Sequence, residues 1–286
     1  MKNIDFSKIY SYSKLKLFED CPQKYYFNYL DPEISPIKKQ FLKPRDYKTK
    51  GQAIHGAITF FYHLSQEHRT FENLKKCLSD AWFSEINPEQ GLPLGELGGF
   101  KDLKHERKVY FDSLKLLKKF FLLEEPNPSV FYLPTKNIKN SFSDYEEMIK
   151  PLNDSYSISG KFDRIDELED HTLRVIDFKT NKKKSDKFQL IFYKLLAELN
   201  FQKPVRIVSF YYLSMGEIVD FDVSGIGQKV IQKQVLEKVE KIKNTQDFLP
   251  CFNGLCNHCD FFEICPARKI IKSPNGAKKH ESNYSG

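Results

Sequence analysis

The stretch Gly160-Lys-Phe-Asp163-Arg-Ile-Asp-Glu-Leu-Glu169-Asp170-His-Thr-Leu173-Arg-Val-Ile-Asp177-Phe-Lys179 decides how the rest of the chain is read. From Tyr156 to Lys179 apolar side chains recur at a period near two: Ile158, Phe162 and Ile165 first, then Leu173, Val175, Ile176 and Phe178. That period predicts two strands of a hairpin, and Glu169-Asp170 predicts its turn. Asp163 and Asp177 then fall on adjacent strands. Lys179 stands two residues beyond Asp177 and so projects from the same face. Arg164 and Asp166 should face the opposite side.

A carboxylate set in an apolar strand is costly unless it is paired or holds a cation. Two carboxylates and an ammonium on one face suit a hard divalent ion, Mg²⁺ or Mn²⁺, with a phosphate and its attacking water alongside. The plainer reading is that Asp-x-Lys is a common pair and that charged strand residues usually form a wetted face.

Working outward, residues 11–30 have helical spacing, with Leu15, Leu17, Phe18, Tyr25, Tyr26 and Tyr29 as core positions and Ser13 as N-cap. Asp31-Pro32 and Ser35-Pro36 should end that helix, followed by an irregular basic stretch from Lys38 to Lys50. Helices are predicted over 52–67, 70–84 and 100–123, the last two separated by the Gly/Pro-rich segment Asn87–Gly99. Beyond the hairpin, Ser185 or Asp186 should cap a helix to about Asn200. Strands are expected over Val205–Leu213 and Glu217–Val223, joined at Met215-Gly216, then a helix over 227–246. The sum is an α/β chain: one domain over 1–276, with a helical part (1–125), a core (126–246) and a cysteine segment (247–268). The polar end, 277–286, reads as disordered.

A 40% hydrophobic content with 25 Phe and 15 Tyr is ample for a packed core. The net charge of +7 favours a polyanionic partner. The first residues carry no signal-peptide pattern, and no run approaches the ~18 apolar residues of a membrane span. An intracellular, cytoplasmic protein is therefore expected, where clustered cysteines bind metal more often than they form disulfides. Of six cysteines, three lie in Cys256-Asn-His-Cys259-Asp-Phe-Phe-Glu-Ile-Cys265 and one far upstream at Cys21-Pro22. Cys77 sits in an apolar helical pattern and reads as core. Cys251, Cys256, Cys259 and Cys265, with His258 as a further candidate, offer one alternative, a local zinc site. Cys251-x4-Cys256-x2-Cys259 matches plant-type [2Fe–2S] spacing.

In order along the chain stand Ser11-Tyr-Ser-Lys-Leu with Cys21-Pro22, Gly51-Gln-Ala-Ile-His55, Gly160-Lys-Phe-Asp163, Asp177-Phe-Lys179, Gln189-Leu-Ile-Phe-Tyr193 and the C-terminal cysteines. This ordered set, over roughly residues 11–268, resembles the RecB-like branch of the PD-(D/E)XK nucleases, specifically its iron–sulfur members: AddB-type nuclease domains and CRISPR-adaptation nucleases. The resemblance implies a restriction-endonuclease-like core, a small mixed sheet flanked by helices, with a helical N-terminal part and a C-terminal segment bound to an iron–sulfur cluster.

It assigns Asp163 and Asp177 to Mg²⁺ or Mn²⁺, with His55 completing the site, and Lys179 to water activation or transition-state charge. Gln189 and Tyr193, four residues apart on one helix face, take supporting roles. Glu146 and Glu147 stay outside the catalytic set. Cys21, Cys256, Cys259 and Cys265 are implied to hold a [4Fe–4S] cluster, leaving Cys251 spare. By loop-closure arguments such a clip contributes ~5 kcal/mol. The implied activity is DNA cleavage with little sequence specificity, by an exonuclease on single-stranded or frayed ends in recombination, repair or replication, with a helicase or recombination partner. The basic clusters Lys38–Lys50 and Lys182–Lys187 would track phosphates. The extra helical segment at about 70–125 favours a stand-alone nuclease over the CRISPR variant. The alternative is a non-catalytic DNA-binding or scaffolding module on the same fold.

Overall fold

The computed structural model describes residues 5–84, 94–124, 127–135, 148–181 and 186–271. Glu146, Glu147, Lys182–Lys184, Ser185 and the 277–286 tail lie outside them. The chain divides into two compact units, one comprising Pro44–Lys233 and the other the residues before and after that segment.

The first unit holds the predicted sheet. Its strands are β2 (Val130–Tyr132), β5 (Arg164–Glu167), β6 (Leu173–Lys179), β7 (Val205–Tyr212) and β8 (Glu217–Asp222); the two-residue β3 (Lys150–Pro151) and β4 (Ser157–Ile158) also lie in this unit, and β1 (Ile9–Tyr10) lies in the second. The order is β2-β5-β6-β7-β8. All pairs are antiparallel except β6 and β7. A parallel pair needs a crossover, and the helix over Lys187–Phe201 supplies it. The β5–β6 turn places His171 at φ 60°, one residue past the expected Glu169-Asp170 corner.

The strand reading needs one correction. Tyr156–Phe162 does not continue into β5: Ser157–Ile158 pairs instead with Lys150–Pro151, and Asp163 occupies a bend just before Arg164. Period-two spacing persisted across two separate strand segments, so periodicity alone could not reveal the break. Gly160 marks it. A Cβ there would lie 3.1 Å from Tyr193 Cε1 and 3.1 Å from Leu196 Cδ2, so any other residue would require those side chains to give by a few tenths of an ångström.

Helices α1 (Tyr12–Asp20), α2 (Pro22–Tyr29), α3 (Ile34–Ile37), α4 (Asp46–Tyr62), α5 (Phe71–Ser84) and α6 (Leu103–Leu123) precede the sheet; α7 (Lys187–Phe201), α8 (Gln228–Lys243) and α9 (Arg268–Ile271) follow its central strand. Within the first unit, α4, α5 and α6 pack together around Ile54, Ala57, Leu78, Leu117 and Phe120, and this core takes in Ile176, Phe178, Tyr211 and Leu213 of the sheet region. Cys77 is buried there as expected. Trp82 stacks on Phe100 at 5.7 Å and donates its indole N–H to Glu106 Oε1 at 3.1 Å. Glu106 also accepts from the backbone N–H groups of Leu94 and Gly95, each at 2.9 Å, so its buried carboxylate is hydrogen-bonded rather than stranded. Helix α7 packs on β6 and β7.

Helix α4 begins at Asp46, six residues before the expected start, taking Lys48 and Lys50 into its first turns. Basic residues have good helix propensity, and the charge run hid the helical register. Helix α6 starts behind the Asp102 cap, whose carboxylate accepts from His105 N. Asp186 caps α7 through Phe188 N, one of the two candidates.

On the face of β5 away from Asp163, Arg164 is fully buried. It donates to Glu124 Oε2 at 2.8 Å and to Asp166 Oδ2 at 2.9 Å, with its guanidinium 4.6 Å from the Tyr62 ring. Burial pushes the Asp166 carboxyl up to about 6, against the pull of Arg164.

In the second unit the 11–30 helix is two helices. Cys21 (φ −165°, ψ 106°) ends α1 and opens α2, with Pro22 in the first turn of α2. Proline suits that position because it has no N–H to leave unpaired. Ser11, not Ser13, caps α1, accepting from Lys14 N. Ser35 and Pro36 lie inside the short α3 rather than in irregular chain.

Gly99 tests the α4–α6 arrangement. Its φ is +82°, and a Cβ would fall 2.4 Å from Arg45 N. Gly99→Ala is expected to lower unfolding free energy by about 2 kcal/mol or more, read as a shifted denaturation midpoint by circular dichroism.

Candidate active site

Three elements of the first unit converge. Helix α4 brings His55, the bend before β5 brings Asp163, and β6 brings Asp177 and Lys179. Helix α7 adds Gln189. His55 Nδ1 lies 2.8 Å from Asp163 Oδ1, and Asp163 Oδ2 accepts from Phe178 N at 2.8 Å. Asp163 is thus fixed by the backbone of the strand that carries Asp177. Lys179 Nζ sits 2.7 Å from Asp177 Oδ2, but off the hydrogen-bonding direction, so that buried oxygen is compensated by charge without accepting a hydrogen bond. Gln189 connects the pair: its Oε1 accepts from Lys179 Nζ and its Nε2 donates to Asp177 Oδ1, both at 2.8 Å.

The two carboxyls are pushed in opposite directions. Burial raises Asp177 to about 6; Lys179 opposes this and the charge of Asp163 adds to it. Burial also works against ionisation of Asp163, but the charge and hydrogen bond of His55 and the Phe178 N–H outweigh it, and its pKa is lowered. The same partnership raises His55 against the effect of its burial. Asp163 is therefore the ionised partner, and the proton between it and His55 belongs to the imidazole.

Among the described residues no three His, Cys, Asp or Glu side chains are already spaced to hold a metal ion. The donors close on one another instead. Their chemistry still fits a hard divalent cation: two carboxylates with an imidazole, one buried carboxylate oxygen lacking a hydrogen bond, and a carboxyl whose charge burial disfavours despite Lys179 and His55. A cation there would relieve the repulsion that lifts Asp177.

The structure brings His55, Asp163, Asp177, Lys179 and Gln189 together. Tyr193 lies one turn beyond Gln189 and packs on Phe162, ring centroids 5.6 Å apart, beside Gly160. Its ring buttresses the segment leading to Asp163. The twin contact of Gln189 was visible in the sequence only as a shared helix face. The Phe178 N–H on Asp163 left no sequence signal, because a backbone donor has no residue identity.

Five of the six cysteines lie in the second unit; Cys77 lies in the first. None of the six is in a disulfide. Cys251 N donates to Cys21 Sγ at 3.4 Å and Asn253 N to Cys256 Sγ at 3.5 Å. Asn253 Nδ2 also donates to Asp20 O at 2.7 Å, tying this loop to the end of α1. Burial raises the thiol pKa of Cys259 and of Cys265, and the charge of Cys21 adds to both, so the distant cysteine has joined the C-terminal ones. Among the described residues no three cysteines are already spaced to hold a metal ion, although thiols that accept backbone N–H bonds are suitable donor types for a cluster.

The profile of the PD-(D/E)XK nuclease superfamily matches residues 9–266. The chain belongs to that superfamily. Its RecB-like character is supported by similarity to the B subunit of the ATP-dependent helicase/deoxyribonuclease of Carboxydothermus hydrogenoformans, 24% identical over 254 residues. The match covers 80% of this chain and 22% of that relative. The mixed sheet with flanking helices is the core expected of a PD-(D/E)XK nuclease. No helix among the described residues is long and apolar enough to cross a membrane.

Gln189→Leu removes both contacts to Asp177 and Lys179 while keeping the size of the side chain. In this nuclease scaffold the expected outcome is an unchanged circular dichroism spectrum with DNA cleavage slowed about 10- to 100-fold, the scale of a misplaced reacting group.

Proposed function

We propose that this chain is a Mg²⁺- or Mn²⁺-dependent deoxyribonuclease, an exonuclease on single-stranded or frayed ends in recombination, repair or replication, stabilised by a [4Fe–4S] cluster. The observation that carries the proposal is the Asp177–Gln189–Lys179 bridge beside Asp163 and His55. These are the groups phosphodiester hydrolysis calls for, held at hydrogen-bonding distances.

Asp163, Asp177 and His55 would hold the cation, which when bound neutralises phosphate charge and makes water a better nucleophile. The remaining steps belong to the protein. Gln189 holds the Lys179 ammonium in place, so it is poised to donate to the attacking water or to the charge that builds on the phosphoryl oxygens. Asp163 keeps its charge through His55 and the Phe178 N–H, and so stays a constant anion through the reaction. Water oxygen bonds to phosphorus and gives up a proton to bulk solvent, the P–O bond to the leaving strand breaks, and the departing oxygen takes a proton from solvent in return. Phosphate recognition by charge alone leaves base identity unread, consistent with low sequence specificity.

Cys21, Cys256, Cys259 and Cys265 would hold the cluster, with a structural role. The relative's name pairs a helicase with a deoxyribonuclease. A helicase partner would supply the unwound ends this chain cuts.

A time course on end-labelled single- and double-stranded DNA, with Mg²⁺, Mn²⁺ or EDTA, tests the reading. Wild type should cleave only with metal, in a ladder starting at ends, and Lys179→Ala should cut at least about 100-fold more slowly. DNA binding without cleavage by the folded wild type would favour the non-catalytic scaffold instead. Anaerobically purified Cys259→Ser should lose brown colour and solubility while the soluble remainder still cleaves. A variant as stable as wild type, from colourless preparations that are fully active, would sink the structural cluster.

A further inference from the structure

The second unit contains a cavity of about 310 Å³, within small-molecule range, that the nuclease reading does not use. Three lysines from three separate segments line it: Lys14 of α1, Lys38 just after α3, and Lys243 at the end of α8. Tyr25, Tyr29 and Phe248 form an aromatic wall. Tyr25 and Phe248 are near parallel, 8° apart with centroids at 6.2 Å, and Tyr29 lies 5.1 Å from Tyr25.

Lys14 is the unusual member. It is only 6% exposed, and its ammonium donates to two backbone carbonyls, Ile9 O at 2.9 Å and Phe6 O at 3.3 Å. It lies 4.6 Å from the Tyr10 ring centroid and 4.9 Å from that of Tyr29. Lys38 Nζ is also 4.9 Å from the Tyr29 centroid and donates to Asn28 O at 2.8 Å. Among the described residues no carboxylate forms an ion pair with Lys14, Lys38 or Lys243. Asp5 supports the charge of Lys14 only from a distance, being engaged by the Ser7 N–H and hydroxyl. Burial, then the charge of Lys38, lowers Lys14 to about 8, with Lys243 adding to the effect.

Lysines that only anchored this fold would not need to converge, since like charges in a partly buried site repel. Carbonyls and ring faces compensate the ammonium groups partly and leave net positive charge facing an aromatic-walled space. We infer that this cavity binds a nucleoside monophosphate, with the phosphate against Lys14, Lys38 and Lys243 and the base on the Tyr25–Tyr29–Phe248 wall. Such a ligand has two sources: a free mononucleotide, or the phosphorylated terminal nucleotide of a strand. The inference stands whether or not the catalytic reading holds, because it uses none of those residues.

Isothermal titration of the full chain with dAMP, deoxyadenosine or inorganic phosphate tests it, in EDTA so that no divalent ion serves the catalytic carboxylates. Saturable 1:1 binding of dAMP is expected, with phosphate weaker and deoxyadenosine weaker still. Lys38→Ala/Lys243→Ala, which spares the buried Lys14, should weaken dAMP about 10- to 100-fold, the loss expected for charge-assisted contacts. Lys179→Ala should bind as wild type does. A short 5′-phosphorylated oligonucleotide compared with its 5′-hydroxyl form separates the sources. Preference for the phosphorylated strand, lost in the double variant, identifies a strand end; no preference beside tight dAMP binding identifies the free nucleotide. Failure of the wild type to bind either dAMP or the phosphorylated strand, or equal binding by the double variant, overturns the inference.

Discussion

Two carboxylates held in a half-buried site repel, and the architecture of the first unit is arranged around managing that repulsion. One is kept ionised by an imidazole and a backbone N–H; the other carries a raised pKa beside a single ammonium. Neither solution comes from one element. His55 needs α4 against the sheet, the Phe178 N–H needs β6 beside the bend that carries Asp163, and Gln189 needs the α7 crossover between two parallel strands. Loosening any of them would leave a buried charge without its compensation, a cost of several kcal/mol. The site and the packing that surrounds it are therefore interdependent.

Strand β6 carries this coupling in its alternation. Ile176 and Phe178 belong to the helical core, while the intervening Asp177 and the following Lys179 turn toward Gln189. The hydrophobic residues that stabilise the sheet also fix the direction of the polar ones. Arg164 and Asp166 repeat the pattern on β5, where the reverse face holds a buried cation between two carboxylates. Two ionic clusters thus occupy opposite faces of one small sheet. Both keep buried polar atoms without a hydrogen bond: Arg164 Nε and Asp166 Oδ1 on one face, Asp177 Oδ2 on the other.

Much of this was readable from residue order. Asp177 and Lys179 share a face because strands have a period of two, and Asp186 could be read as a cap because aspartate accepts at helix N-termini. What escaped was set by backbone geometry. The bend that takes Asp163 off its strand leaves the apolar period intact, and the break at Cys21 interrupts a helical pattern whose apolar spacing continues through it. Ser11 and Ser13 have equal capping chemistry, and only the path of the chain selects Ser11. The Lys14 cavity is assembled from segments more than 200 residues apart in sequence, so no local pattern announced it. The family motifs named residues that the fold brings together; the distances between them required the fold.

Trp82 is the chain's one tryptophan, fully buried among the helices of the first unit and fixed by Phe100 and Glu106. Its fluorescence is consequently a reporter of one unit alone. The cysteines of the second unit lie in a part of the molecule without any indole, where emission is left to tyrosine. The two halves of the protein therefore carry different optical labels, and a melt followed at the indole wavelengths would record the loss of the helical layer around β6 while remaining blind to events around Cys21.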